Sequence, residues 1–321
     1  MRMAITYLES VVVGALQGVS ELFPVSSLGH SILLPAWVGG KWGDDLSMSA
    51  KDSPYLALLV AMHVATAIAL VIYFWRDWVH ILTGLFDVVR TREIRTPEAR
   101  LGVLLIIATI PVGVAGLLLE KIVRNYLGTP IPTSAFLALN GFVLLSAELM
   151  RKRGGVHDRD LAVTSPTGRA GDLSSQDTVL LPTTDPEWAS DVRLSRLTIK
   201  DVLIIGSAQI AALFPGISRS GSTIVAGLLK GMRHEDAARF AFMLATPVIL
   251  AAGVLKTPEL LKPENHEILG PALAGSVVAG VLSYFSVKFL TGYFETKTLT
   301  PFAIYCMLAG IGSLVYFTVT G

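Results

Sequence analysis

Long apolar segments alternate with shorter polar ones along the chain, and this pattern predicts a helical membrane protein. A helix needs about 20 apolar residues to cross the roughly 30 Å hydrocarbon core of a bilayer. Six segments reach or approach that length with few charges: about 54–75, 101–119, 130–148, 240–256, 268–288 and 299–319. We therefore expect an all-α polytopic membrane protein with six transmembrane helices.

Two further apolar segments, residues 5–38 and 202–229, are interrupted by polar residues and by proline. Pro24 breaks the first segment, and Pro215 followed by Gly216 breaks the second. Non-helical backbone at membrane depth is tolerated only where protein or a water-filled cavity covers it. We therefore predict that each segment forms a re-entrant helical hairpin.

The two hairpins divide the chain into similar halves. Residues 1–150 and 201–321 each hold one hairpin followed by three spans, and the polar segment 151–200 joins them. Leu22-Phe23-Pro24-x-x-Ser27 in the first half matches Leu213-Phe214-Pro215-x-x-Ser218 in the second. An odd number of spans gives the halves opposite orientations, so the pattern predicts an inverted repeat with a site between its halves.

The composition supports a membrane protein. The 321 residues are 52% hydrophobic and only 16% charged, whereas soluble domains carry about 25% charged residues. The formal net charge of +1 gives no reason to expect a nucleic-acid partner, so the expected surroundings are the lipid bilayer. The single cysteine, Cys306, excludes an intrachain disulfide and a thiolate metal cluster.

Basic residues predict how the protein is oriented, because Lys and Arg concentrate in cytoplasmic loops. The predicted loops fall into two sets, which hold eighteen and six basic residues. The basic set comprises 76–100, 151–201, 230–239 and 288–297, and the other set comprises 41–53, 120–124 and 256–267. We therefore expect a flexible cytoplasmic loop at 151–200 and both termini outside.

The first hairpin carries ionisable residues at bilayer depth, where such residues indicate a functional site. Gln17 and Glu21 share a helix face, so they can bind a divalent cation, orient water or join helices as a polar pair. Ser27 and His30, one helical turn apart, can act as nucleophile and base, or both can bind phosphate. His63 stands alone in a charge-free span and is interpreted as a packing residue.

The second hairpin predicts an anion site. Hydroxyl groups and one arginine stand where a helix should begin, and the residues concerned are Gly216, Ser218, Arg219, Ser220 and Thr223. A helix N-terminus attracts anions through its free N–H groups and its dipole, and arginine binds phosphate through two parallel hydrogen bonds. Together, the two hairpins indicate that the ligand is a phosphorylated lipid.

These two motifs resemble those of the undecaprenyl-diphosphate phosphatases, also called BacA-type bacitracin-resistance proteins. The family's first motif, Glu or Gln, three residues, then Glu, is similar to Gln17 through Glu21. It is followed here by Pro24, Ser26, Ser27 and His30. The second motif, PGxSRSxxT, is matched from Pro215 to Thr223. The resemblance covers the chain except for about 151–200.

The resemblance implies an enzyme of the bacterial plasma membrane that removes the terminal phosphate of undecaprenyl diphosphate. This reaction would regenerate the lipid carrier for peptidoglycan synthesis, and it would confer bacitracin resistance because the drug sequesters the diphosphate. The resemblance also implies a divalent cation, Mg²⁺ or Ca²⁺, and a site that opens toward the outer face. Whether the protein forms a homodimer stays open.

Carried onto this chain, the resemblance implies roles for individual residues. The implied catalytic residues are Glu21, Ser27, His30 and Arg219. The implied diphosphate-binding residues are Ser26, Gly216, Ser218, Arg219, Ser220 and Thr223. The implied cation ligands are Glu21 and Gln17, although Gln17 stands where many members have Glu. The nucleophile stays open between Ser27, His30 and a water molecule.

The same layout suits a second class of protein. Inverted repeats with broken helices at mid-depth also form transporters, and a fold does not by itself define a function. A polyprenyl-phosphate lipid flippase or an ion-coupled transporter is therefore the alternative. Release of inorganic phosphate in detergent, where there are no two sides to transport between, distinguishes the two classes.

Overall fold

The computed structural model describes residues 5–48, 54–153, 186–260 and 263–320, apart from the side chains at 120–125, 186–188, 257–260 and 263–264. Within these ranges the chain is helical and has no strand. The helices are α1 (Tyr7–Ser20), α2 (Ser27–Val38), α3 (Gly40–Asp45), α4 (Pro54–Tyr73), α5 (Trp75–Thr91), α6 (Pro97–Leu127), α7 (Pro130–Arg153), α8 (Pro186–Ser195), α9 (Ile199–Ala208), α10 (Arg219–Leu229), α11 (His234–Leu260), α12 (Leu269–Thr296) and α13 (Thr300–Thr320). Short 3-10 turns occupy Gln209–Leu213 and Pro263–Ile268.

Six helical segments among the described residues are long and apolar enough to cross a membrane. They are Pro54–Tyr73, Pro97–Leu119, Pro130–Arg153, His234–Lys256, Asn265–Thr296 and Thr300–Thr320. Much of their surface stays exposed apolar side chain, as expected where lipid rather than water surrounds a helix. The prediction of an all-α membrane protein with six spans is confirmed.

Two predicted polar connections differ in the structure. Helix α6 continues through 120–124 to Leu127, so only Gly128 and Thr129 separate it from α7. The predicted loop at 151–200 is also wrong at its ends, because α7 reaches Arg153 and α8 and α9 lie within or begin inside that range. Residues 154–185 lie outside the described part of the chain. At both ends of the range 151–200 the residues form helix despite their polar composition.

Buried ion pairs hold α8 against the helices around it. Arg193 of α8 donates to both carboxylate oxygens of Asp236 in α11, at 2.7 and 2.8 Å. Arg239 of α11 donates to Asp191 of α8 at 3.1 Å and to Asp77 of α5 at 2.5 Å. Charges are tolerated in an interior when they are paired, so these contacts fasten three helices together on the side predicted to be cytoplasmic.

The four helices before and after the breaks of the two broken segments share one capping pattern. Thr6 caps α1, Ser26 caps α2, Thr198 caps α9 and Ser218 caps α10. In each case the side-chain oxygen accepts a hydrogen bond from the N–H of the third helical residue, at 3.1–3.2 Å. Such caps satisfy N–H groups that a helix leaves unpaired, which lets short helices begin inside the protein.

Small residues allow α1 to approach α12 closely. Gly14 faces the backbone of Gly275, and Gly18 faces Ala279. The Ser283 hydroxyl donates to the carbonyl of Gly18 at 3.3 Å. Helices in membranes associate through such close packing and through interhelical hydrogen bonds rather than through a hydrophobic driving force. This contact fixes α1, which ends next to Glu21.

We expect Gly18→Ala to lower the unfolding temperature in detergent by several degrees. A Cβ at Gly18 would lie 2.5 Å from the carbonyl oxygen of Ala279, and overpacking of this kind costs about 1–3 kcal/mol. Gly116→Ala in α6 is the matched control, because no atom of the described residues lies within 4 Å of a Cβ there. Equal melting temperatures for the two variants would show that α1 does not need the close approach.

Candidate active site

A cavity of about 340 Å³ lies where the two broken segments meet. Its polar end is formed by Glu21 and Ser27 from the first segment, His63 from α4, and Ser218 and Arg219 from the second segment. Its other walls are mostly apolar, with side chains that include Leu28, Ile32, Leu56, Val60, Val112, Leu213, Ile217, Val248 and Ile249. The cavity can therefore hold a charged group at one end and hydrocarbon along the rest.

The cavity reaches toward one side of the helical bundle. Met48, Gly128 and Lys256 also line it, and these residues lie beyond or near the ends of α3, α6 and α11. They belong to or border the loops with few basic residues, which the sequence predicts to be outside. The cavity thus extends toward the predicted outer face.

The carboxylate of Glu21 is the centre of the polar end. It is 8% exposed, and Arg219 donates to its Oε1 while Ser27 donates to its Oε2. Gln17 Nε2 donates to the same Oε2 at 3.0 Å, and His63 Nε2 lies 3.3 Å from it. A buried carboxylate is costly unless it is paired and hydrogen-bonded. These four partners come from α1, α2, α4 and α10 and provide that compensation.

Arg219 crosses from the second broken segment to the first. It is the first residue of α10, and besides Glu21 its Nη1 donates to the carbonyl of Ala245 in α11 at 3.3 Å. The guanidinium has five N–H donors in a planar fork, which suits the oxygens of a phosphate. Because Arg219 lines the cavity beside a helix N-terminus, a bound anion would meet both.

The turn before α10 requires glycine at Gly216. Its φ is +108°, a conformation that side chains rarely adopt, and a Cβ there would lie 2.6 Å from the backbone nitrogen of Leu137. The turn brings Ser218 to the cavity as the cap of α10. The role of Gly216 shown by the structure is therefore to shape the turn that presents Ser218 and Arg219.

Two hydroxyls predicted to bind phosphate are directed elsewhere. Thr223 Oγ1 donates to the carbonyl of Arg219 at 2.8 Å, within its own helix. Ser220 Oγ donates to the carbonyl of Phe23 at 3.3 Å and so joins the two broken segments. Neither side chain lines the cavity. Their positions give no support to a direct contact with phosphate.

Ser26 holds an unusual backbone conformation at the first break. Its φ is +71°, in the left-handed region, which is costly for a residue with a side chain. Its hydroxyl caps α2, and its carbonyl accepts a hydrogen bond from His30 Nδ1 at 2.7 Å. Ser26 and Ser27 both line the cavity, so this bend is what aims Ser27 at Glu21.

His30 contacts α13 and not Glu21. Its Nδ1 bonds Ser26, and its Nε2 lies 2.7 Å from the hydroxyl of Tyr305 in α13, with the two rings stacked. It does not line the cavity. The sequence predicts His30 as an acid or base beside Ser27, whereas the structure places it as a contact between α2 and α13.

The structure corrects the interpretation of His63 as a packing residue. Its ring lines the cavity and contacts Glu21. The sequence signal was an imidazole inside a charge-free span, but nothing along the chain connects residue 63 with residue 21. Only the packing of α4 beside the first break brings the two side chains together.

Asn140 is a second residue that the sequence analysis did not identify. It is 2% exposed in α7. Its Nδ2 donates to the carbonyl of Pro24 at 3.0 Å, and its Oδ1 accepts from the N–H of Ser218 at 3.0 Å. A single amide thus satisfies backbone groups at both breaks and holds them side by side.

The residues present provide few ligands for a metal ion. Among the described residues, no three His, Cys, Asp or Glu side chains are grouped so that they could hold one. Gln17 Oε1 is buried with no hydrogen-bond partner in the described part of the chain, and it is the kind of oxygen that Mg²⁺ and Ca²⁺ prefer. Gln17 lies outside the cavity lining and turns its Nε2 toward Glu21, so Glu21 is the carboxylate that the cavity itself offers to a cation. Such a site fits only a cation that takes most of its ligands from a bound phosphate.

Fold and site together define a multi-pass membrane protein in which a buried carboxylate, paired with an arginine and a serine hydroxyl, lies at one end of a mostly apolar cavity. The chain matches the family described as "Bacitracin resistance protein BacA" over residues 10–312, and it belongs to that family. The resemblance inferred from the two motifs is therefore confirmed.

Several relatives match this chain over nearly its whole length. It is 55% identical over 312 residues to "Undecaprenyl-diphosphatase" of Mycolicibacterium paratuberculosis (strain ATCC BAA-968 / K-10), with 97% of each chain covered. It is 54% identical over 316 residues to the protein of the same name in Mycobacterium avium (strain 104), with 98% of this chain and 99% of the relative covered. It is also 45% identical to "Undecaprenyl-diphosphatase 1" of Frankia casuarinae (strain DSM 45818 / CECT 9043 / HFP020203 / CcI3), with 97% and 98% covered.

We expect Asn140→Ala to destabilise the protein, because the N–H of Ser218 loses its amide partner and the carbonyl of Pro24 keeps only the weak contact from the Cys306 thiol at 3.8 Å. Each buried unsatisfied group costs about 1–3 kcal/mol. Ser146→Ala is the matched control, since Ser146 is an exposed residue of the same helix. Thermal unfolding in detergent measures the effect, and a melting temperature unchanged from that of Ser146→Ala would contradict the bridging role.

Proposed function

We propose that this protein hydrolyses undecaprenyl diphosphate to undecaprenyl phosphate and inorganic phosphate in the bacterial plasma membrane. The relatives at 54% and 55% identity are named for this activity. The observation that carries the proposal is that Glu21 is bonded to both the Ser27 hydroxyl and the Arg219 guanidinium at the polar end of the cavity. One carboxylate is thus in contact with a nucleophile and an anion receptor.

The contacts support Ser27 as the nucleophile and Glu21 as its base. Ser27 Oγ attacks the terminal phosphorus while Glu21 accepts the hydroxyl proton. The bond from that phosphorus to the bridging oxygen breaks, and polyprenyl phosphate leaves with the proton that Glu21 accepted, while a phosphoryl group stays on Ser27. Glu21 is then a carboxylate again and accepts a proton from water, whose oxygen attacks the same phosphorus. The bond from phosphorus to Ser27 Oγ breaks, the proton returns from Glu21 to Ser27 Oγ, and inorganic phosphate is released.

Arg219 supports the charge that develops during both steps. Groups fixed in advance around a transition state are effective because they need no reorganisation when charge appears. A bound diphosphate would share the guanidinium with Glu21, and this would loosen the ion pair at the moment when Glu21 must accept a proton. His30 is less suited to that task, because both its ring nitrogens bond other groups.

The cavity size supports a division of the substrate between protein and lipid. Pockets that enclose a drug-sized ligand span about 300–1,000 Å³, so a cavity of about 340 Å³ holds the diphosphate and only the first part of a long prenyl chain. The apolar walls suit that first part. The remaining chain would extend between helices into the bilayer.

The cation belongs to this proposal as well. Glu21 and Gln17 Oε1 would hold Mg²⁺ or Ca²⁺ together with oxygens of the substrate. When bound, such an ion neutralises charge on the phosphate oxygens. The protein's own part would be to offer the Glu21 carboxylate at the polar end of the cavity, with Gln17 behind it against Glu21, and to keep most of the other walls apolar.

The inverted repeat is supported by the way in which the helices pair. Helix α1 of the first half packs on α12 of the second half. Helix α9, the counterpart of α1, packs on α6, which is the counterpart of α12 in the first half. The pairs α4 with α11 and α7 with α13 join equivalent spans of the two halves. The caps match as well, and they relate Ser218 to Ser26 rather than to Ser27.

The proposed orientation places the cavity mouth outside and α8 with its ion pairs in the cytoplasm. A site that opens outward would act on diphosphate carrier lipid left at the outer face after polymer transfer. It would thereby recycle the carrier for peptidoglycan synthesis and confer resistance to bacitracin.

We expect Arg219→Ala to reduce phosphate release from undecaprenyl diphosphate in detergent by at least about 100-fold, since removing one group that stabilises transition-state charge costs that much. Arg196→Ala, at an exposed position before α9, is the matched control and should remain active. Near-normal turnover of Arg219→Ala would remove the basis of the proposed mechanism. If the unaltered protein releases no phosphate, a transport function becomes the better explanation.

We expect chelation of divalent cations to abolish phosphate release and added Mg²⁺ or Ca²⁺ to restore it. The physical reason is that no three His, Cys, Asp or Glu side chains of the described residues are grouped there, so the ion would take most of its ligands from substrate and water and exchange readily. Phosphate release is measured with chelator alone and again with an excess of the cation. Full activity in the presence of chelator would contradict the cation requirement.

A further inference from the structure

We propose that His63 is a positioning residue for the reaction, which donates a hydrogen bond to Glu21 and holds its carboxylate toward Ser27. The inference rests on the proposed function, because it assigns Glu21 the part of the base. It concerns a residue that neither motif contains. Its basis is the geometry of the imidazole between α4 and the first break.

Both ring nitrogens of His63 have defined partners. Nδ1 lies 2.7 Å from the carbonyl oxygen of Leu59, one turn earlier in α4. Nε2 lies 3.3 Å from Oε2 of Glu21. The ring is therefore anchored at one side by its own helix and presents the other side to the carboxylate.

The chemistry of these partners decides where the hydrogens are. A carbonyl oxygen only accepts hydrogen bonds, so Nδ1 carries a hydrogen. A carboxylate oxygen also only accepts, so two acceptors would face each other if neither Nε2 nor Oε2 carried one. Oε2 already accepts hydrogen bonds from Gln17 and Ser27, as an ionised carboxylate oxygen does, so Nε2 carries the hydrogen and donates it to Oε2. The ring then carries a hydrogen on both nitrogens, and the contact is a hydrogen bond rather than packing.

This hydrogen bond controls one side of the carboxylate. Oε2 also receives the Ser27 hydroxyl, whereas Oε1 receives Arg219. If a bound diphosphate accepts the hydrogen bonds of the Arg219 guanidinium, Oε1 of Glu21 loses the hydrogen bond from Arg219. His63, together with Gln17, then keeps Oε2 in place against the hydroxyl whose proton it must accept.

The surroundings of His63 also favour a role in the site. Its side chain is 30% exposed, and the exposed part faces the cavity, which it lines beside Ser27 and Arg219. A histidine kept only to fill space between helices would need no opening to the cavity and no carboxylate partner. Its place on a spanning helix, which is more rigid than a loop, suits a residue that positions another.

The test compares two amides of different length. In His63→Gln the amide reaches the position of Nε2, so it can still donate to Glu21. In His63→Asn the amide reaches only the position of Nδ1, so the bond to Leu59 is kept and the bond to Glu21 is lost. His80→Gln on the exposed face of α5 is the control outside the site.

We expect His63→Asn to lower kcat about 10- to 100-fold with little change in KM, the effect of losing a hydrogen bond to a charged group. We expect His63→Gln to stay within about threefold of the unaltered protein, because it restores the bond. The inference is wrong if His63→Asn turns over as fast as His80→Gln. It is also wrong if His63→Asn and His63→Gln lose the same activity.

A second measurement separates this inference from the proposed function. The unfolding temperatures of His63→Asn, Glu21→Gln and the double variant form a double-mutant cycle that needs no activity. We expect a smaller effect of His63→Asn when Glu21 is already Gln. If the two shifts in unfolding temperature are additive, His63 and Glu21 do not interact and the inference is wrong. If the shifts are coupled but the unaltered protein releases no phosphate, the contact is supported and the proposed phosphatase activity is refuted.

Discussion

The buried carboxylate of Glu21 is the constraint on which the rest of the structure depends. An ionised group at bilayer depth is stable only with charge and hydrogen-bond partners. Here those partners come from four helices, and Arg219 supplies the opposite charge from the other half of the chain, 198 residues from Glu21. The two halves must therefore meet at this point. The same requirement places a serine hydroxyl and an arginine guanidinium around one carboxylate.

The scaffold serves this meeting point in a consistent way. Serine caps let helices begin at the two breaks, and Asn140 pairs with backbone groups of both. Glycines at the contact of α1 with α12 allow the first broken segment to lie deep inside the bundle. A straight spanning helix pairs its own backbone N–H and C=O groups, and an unpaired polar group is costly in lipid. At the two breaks the serine caps and Asn140 supply the hydrogen bonds that the broken helices lack.

Function follows from the contrast between the two ends of one cavity. At the polar end lie Arg219 at the start of α10, Glu21, Ser27 and His63; in the proposed mechanism the first would bind an anion and the other three would control a proton. Along the other walls apolar side chains receive hydrocarbon. A lipid that carries a diphosphate on a prenyl chain matches both ends. The membership in the BacA family and the names of the relatives agree with that reading of the site.

The sequence by itself determined the membrane class, the six spans and the main residues of the site, because hydrophobic length and a charge in an apolar segment are local properties. Glu21, Ser27 and Arg219 were all identified in this way. Only the tertiary structure decided which groups meet them. His63 contacts Glu21 and His30 does not, although His30 is nearer along the chain. Which side of α2 faces the cavity, and which turn of α4 lies beside it, depend on helix packing across the two halves, and no local pattern encodes that.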